Sequence, residues 1–197
     1  MKRIFFAFLL TAFSFSADVR AAGRSSSAER IKPEISVKID EGEPSYLFNR
    51  KRVPCAHDGH ALGCTRVRFY ATMAGTEITA DGALKKLTLE VGLKNVNIEL
   101  SSDLKKGTCL FDVVLKHEST HLALHRRVLK RYAPEMAKAV LSEAEKQSPP
   151  MTQKKFNRLS KIMNAYVNRM NEEDDRQNAL MDTGDAYSYQ QAQCAER

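Results

Sequence analysis

Residues 87–127 read LTLEVGLKNVNIELSSDLKKGTCLFDVVLKHESTHLALHRR, and the hydrophobic period changes within them. Leu87, Leu89, Val91 and Leu93 alternate with polar or small residues, as a strand with one buried face requires. At Lys94-Asn95 the parity shifts, and alternation resumes at Val96, Ile98 and Leu100, which predicts a tight turn or a bulge. From Cys109 onward apolar residues recur every three or four positions, the period of an amphipathic helix. Gly107 and Thr108 mark the boundary, with Thr108 placed as an N-cap.

The same division extends in both directions. Upstream, Ile35, Val37 and Ile39 alternate with polar residues, as do Val67, Phe69 and Ala71, so residues 31–101 should hold four or five strands. Their short connections predict mostly antiparallel pairing. Downstream, the helix from Cys109 should run to about Tyr132, with Pro134 ending it and opening a second helix to about Lys146. The stretch QSPPMT (147–152) breaks the chain, Thr152 can cap a long helix from Gln153 to about Met181, and DTGDAY (182–187) turns into a short last segment near Cys194. A small sheet followed by a helical half is an α+β domain, expected over residues 31–197.

The first residues, MKRIFFAFLLTAFSFSADVRAAG, combine a basic start, an apolar run from Ile4 to Phe15 and small residues beyond it. This reads as a signal peptide over residues 1–21, followed by a polar tether at 22–30. The apolar run is shorter than the ~20 residues of a spanning helix. The mature chain is therefore expected to be periplasmic or secreted and not membrane-spanning. Losing Lys2, Arg3, Asp18 and Arg20 lowers the formal charge from +7 to +5. Lys and Arg are scattered rather than gathered with aromatic residues, which argues against a nucleic-acid partner.

Export makes disulfides the expected state of the four cysteines. Of three possible pairings, Cys55–Cys64 and Cys109–Cys194 are favoured: the first closes a short loop, and the second ties the start of the histidine helix to the C-terminal tail. His57 and His60, inside that loop, read as exposed.

His117 and His121 lie roughly 40° apart and one turn along a helix, so their imidazoles can converge on one ion. Glu118 sits beside the pair. This is the content of H-E-x-x-H: two nitrogen ligands for Zn2+ and a carboxylate able to take a proton from water at the ion. Leu110, Val113, Val114, Leu124 and Val128 share the histidines' side, whereas Lys116, Arg126, Arg127 and Lys130 point away, so the pair faces the core. His125 lies about 12 Å along the axis from His117. It reads as a residue that supports the ligands from behind or faces substrate. For the third ligand, the stripe Phe156, Leu159, Met163, Tyr166 and Met170 continues to Glu173, with Asp174 at its other edge. A carboxylate on a core-facing stripe needs a partner.

On these residues the chain resembles the zincin metallopeptidases, in particular those that take two histidines from H-E-x-x-H and a glutamate from a later helix. The run from CLFDVVLKHESTHLALHRRVLKRYAP to ALMDTGDAY is also similar to small exported bacterial zinc-protease domains of unassigned function. The resemblance implies that His117, His121 and Glu173 bind zinc and that Glu118 activates water. It also implies a zincin-like fold, with VNIEL (96–100) as the sheet edge along which a protein or peptide substrate, such as a cell-envelope component, would lie. Tyr187 becomes a candidate electrophile, and Asp182 and Thr183 read as caps of the last turn. The chain departs from better-characterised zincins in lacking an N-E-x-x-x-D ligand motif and a glycine turn before a third histidine. The competing expectation is a non-catalytic envelope-binding or inhibitor-like protein with a structural or vestigial metal site.

Overall fold

The computed structural model describes residues 31–55 and 61–183, together with Ala192 and Cys194. Residues 1–30, where a leader (1–21) and a tether (22–30) are expected, lie outside the described residues, as do His57, His60 and Tyr187.

Four strands, β1 (Glu34–Asp40), β2 (Ser45–Arg50), β3 (Gly63–Ile78) and β4 (Leu84–Ser101), precede two helices, α1 (Cys109–Glu145) and α2 (Gln153–Met181). The strands form one sheet, so the chain is α+β as its periodicities predict. The expected pairing needs correction. β1 and β2 both run parallel to β4, and only β3 is antiparallel to it. The short link between β1 and β2 is not a hairpin, because the two strands lie end to end beside one 18-residue partner: Glu34–Asp40 faces Lys86–Gly92, and Ser45 and Tyr46 face Asn97 and Ile98. Gly42 at the joint has φ +66°, and a Cβ there would stand 2.5 Å from Val96 Cγ2, so only glycine lets the joint hug β4.

β4 is thus an interior strand. Its segment 96–100 is not a sheet edge, contrary to expectation, and the edge on the other side belongs to β3. Interior placement explains the composition of β4, where Leu87, Leu89, Val91, Leu93, Ile98 and Leu100 are essentially inaccessible. The parity change is a bulge rather than a turn: Arg66 faces Asn97 while Arg68 faces Lys94, which leaves Asn95 and Val96 opposite Val67, with Asn95 at φ 55°.

α1 lies against β1, β3 and β4, and α2 packs on α1 and β3. Thr108 caps α1 as expected, its side chain accepting from the Phe111 amide, whereas Thr152 stands at the N-cap of α2 without a side-chain cap bond. Pro134 does not divide α1. A proline inside a helix costs about 3 kcal/mol. Here Leu129, Tyr132, Ala133, Met136, Val140 and Ala144 keep one buried phase across it, so continuous packing outweighs one lost hydrogen bond. Two disulfides close the structure, Cys55–Cys64 and Cys109–Cys194, both as favoured by the sequence. Among the described residues no helix is long and apolar enough to cross a membrane.

Candidate metal centre

The inward phase of α1 buries His117, Glu118, His121 and His125 alike. The end of α2 arrives opposite the first of them. Asp182, the C-cap residue of α2, places Oδ1 3.1 Å from His117 Nε2 and 2.9 Å from His121 Nε2. The two Nε2 atoms are themselves 2.9 Å apart. His117, His121 and Asp182 are the group of three metal-capable side chains found among the described residues.

The donor set fits a small divalent cation. Zinc bonds of about 2.0–2.1 Å place neighbouring tetrahedral ligands about 3.3 Å apart, so the three atoms need separate by only a few tenths of an ångström. Two imidazoles and one carboxylate are the ligand types of catalytic zinc sites. The carboxylate is 54 % exposed while both histidines are buried, so the cluster opens toward solvent on the Asp182 side.

The electrostatics agree with the geometry. Burial would raise the Asp182 carboxyl, but the hydrogen bonds and charges of His117 and His121 outweigh it and hold the group well below the usual range. For His121, burial pushes the ring down, yet Asp182 and Asn178 bring it above its ordinary value. Glu118 is raised chiefly by burial, against the opposing bond from Thr65 and the nearby histidines.

Glu118 rests in a cradle made by the start of β3. Thr65 Oγ1 lies 2.8 Å from Glu118 Oε2 and 2.9 Å from the Glu118 main-chain oxygen. A hydroxyl has one proton and two lone pairs. It can donate to the carboxylate, or accept from the protonated acid while donating to the carbonyl, so both protonation states keep a partner. Gly63 supplies the space, because a Cβ at that position would stand 2.4 Å from Glu118 Oε1. The neighbouring Cys64 is bonded to Cys55, which pins this end of β3. Gly63→Ala is accordingly expected to displace Glu118 and lower stability by about 1–3 kcal/mol. Urea denaturation checks this, and unchanged stability would mean that Glu118 has room to spare.

The fold does not bring Glu173 to the histidine pair. Its carboxylate bonds Arg176 at 2.9 and 3.0 Å, contacts Gln177 and lies 3.7 Å from Arg131. The Arg176 bond, with help from Gln177 and the two guanidinium charges, lowers its pKa to about 2. Asp182 occupies the place expected of Glu173. The buried face of α2 passes through Met163, Met170 and Asp174, so steps of four lead on to Asn178 and Asp182, whereas a step of three from Met170 gives Glu173. His125 stands outside the cluster. Its Nδ1 donates to Asp174 Oδ1 at 2.6 Å, and the ring meets Phe69 edge-on. Both partners of that pair are buried. No family model, no curated protein and no solved structure matches the chain.

Proposed function

We propose that the protein is an exported zinc-dependent hydrolase, most specifically a metallopeptidase, with His117, His121 and Asp182 as zinc ligands and Glu118 as general base. One observation carries the reading: a carboxylate 61 residues from His121 in sequence comes within 2.9–3.1 Å of both Nε2 atoms of an H-E-x-x-H helix. Zinc held there would supply Lewis acidity and a water of lowered pKa.

The remaining chemistry belongs to the chain's own groups. Glu118 takes a proton from the attacking water and passes it to the departing amine. Burial raises its pKa toward the range in which a carboxylate performs that exchange, and a cation beside it would bring the value partly back. The edge of β3, which carries Thr65, is the strand nearest this base and the natural rail for an extended peptide. Two disulfides support the exported setting.

Chelation tests the reading. Hydrolysis of a peptide library should be lost on removing metal and restored by stoichiometric zinc, with the far-ultraviolet circular dichroism unchanged. Hydrolysis indifferent to chelator would overturn it, and a zinc-loaded protein that cleaves no peptide would move the assignment to a non-catalytic metal protein.

A further inference from the structure

The side chains that α2 turns toward α1 are spaced as the histidines are. Asp174 faces His125, Asn178 faces His121, and Asp182 faces His117 and His121, so residues four apart on one helix meet residues four apart on its antiparallel neighbour. The outer positions of this ladder carry carboxylates. The middle one is an amide.

The orientation of that amide is set by its own hydrogen bond. Asn178 Nδ2 donates to the Asp174 main-chain oxygen at 2.9 Å, one turn earlier, which leaves Oδ1 toward His121 Nδ1 at 2.6 Å. An amide oxygen only accepts, so His121 Nδ1 must carry the hydrogen. In the neutral ring Nε2 is then bare. This Nε2 lies 2.9 Å from His117 Nε2 and 2.9 Å from Asp182 Oδ1. With two of the three converging atoms restricted to accepting, a cation satisfies the cluster better than the single hydrogen that His117 Nε2 can offer.

We propose that Asn178 is a positioning residue for this centre, fixing His121 in the Nδ1–H tautomer so that the Nε2 lone pair points to where His117 and Asp182 converge. Its purpose rests on the metal reading, whereas its effect on the ring does not. A neutral oxygen achieves this orientation without adding another carboxylate beside Asp182 and Glu118. Glu118 and Asp182 are the charged groups already in electrostatic contact with the ring.

Two measurements test the proposal on the full chain. In metal-free, nitrogen-15-labelled protein, above the pH range in which histidine titrates, two-bond correlation spectra should show His121 as Nδ1–H in the parent and in Asn178→Asp. In Asn178→Leu the ring should revert to the Nε2–H form that a free imidazole side chain favours. A competition titration with zinc should show affinity about 10- to 100-fold weaker in Asn178→Leu, with Asn178→Asp retaining it. Asn178 is only half-buried, and Asn178→Ala serves as a second variant if the leucine perturbs folding. An unchanged tautomer in Asn178→Leu and Asn178→Ala overturns the proposal, as does parental zinc affinity in both. If the parent chain binds no zinc the metal reading falls, and the tautomer experiment still decides what Asn178 does.

Discussion

Glu118→Gln is expected to reduce peptide hydrolysis by about 10²- to 10⁴-fold while leaving zinc content and fold intact. The amide has nearly the same shape, so it fills the space opened by Gly63 and can still accept from Thr65 Oγ1. It cannot take a proton. Because Glu118 is not among the three converging donors, the zinc ligands should be undisturbed. Turnover on a peptide library, zinc stoichiometry and thermal denaturation, measured together, check the prediction. A variant that hydrolyses at the parental rate would remove Glu118 from the role of base, and one that loses zinc would make it a ligand or a structural group.

Asp182→Ala should weaken zinc binding by more than the about 10- to 100-fold that follows loss of an outer-shell partner. Asp182 is the anion of the group, and without it two imidazoles face the ion alone. Glu173→Ala is the matching control. Its carboxylate is already engaged by Arg176, Gln177 and Arg131, so zinc affinity should stay at the parental value. Solvent and salt screen a surface pair of this kind, so its loss should leave folding normal in the control. Titration against a chromophoric chelator distinguishes the two variants, and the reverse ranking would restore Glu173 as the third ligand.

The pair at the centre of these experiments was legible in the chain because one turn of helix fixes the relation of His117 to His121, and a local period needs no tertiary information. The change of parity at Asn95 and the inaccessible face of β4 were legible for the same reason, while the choice between turn and bulge was set by the pairing with β3. The cysteine pairing was favoured by the short Cys55–Cys64 loop, which leaves Cys109 and Cys194 for each other. Long-range relations were not legible. That β1 and β2 share one side of β4 depends on β4 being long enough to hold both, and the pattern of alternation is the same for either strand direction. Pro134 reads locally as a stop, yet the buried phase on either side of it carries α1 through. Asp182 reads locally as a cap, which it is, since its amide bonds Asn178 O at 3.2 Å. The missed signal was the series Asp174, Asn178, Asp182, whose four-residue steps repeat those of the three histidines. Recognising it requires knowing that the two helices lie antiparallel and in contact.

The central claim is that one zinc ion binds where α1 and the end of α2 meet. X-ray absorption at the zinc edge of the purified, stoichiometrically loaded protein tests it most directly. The expected result is one tightly held zinc per chain with a first shell of two imidazole nitrogens and oxygen neighbours, losing an oxygen contribution in Asp182→Ala. A correctly folded chain with both disulfides formed that takes up no zinc, or one whose zinc spectrum is the same in His121→Ala as in the parent, would contradict it.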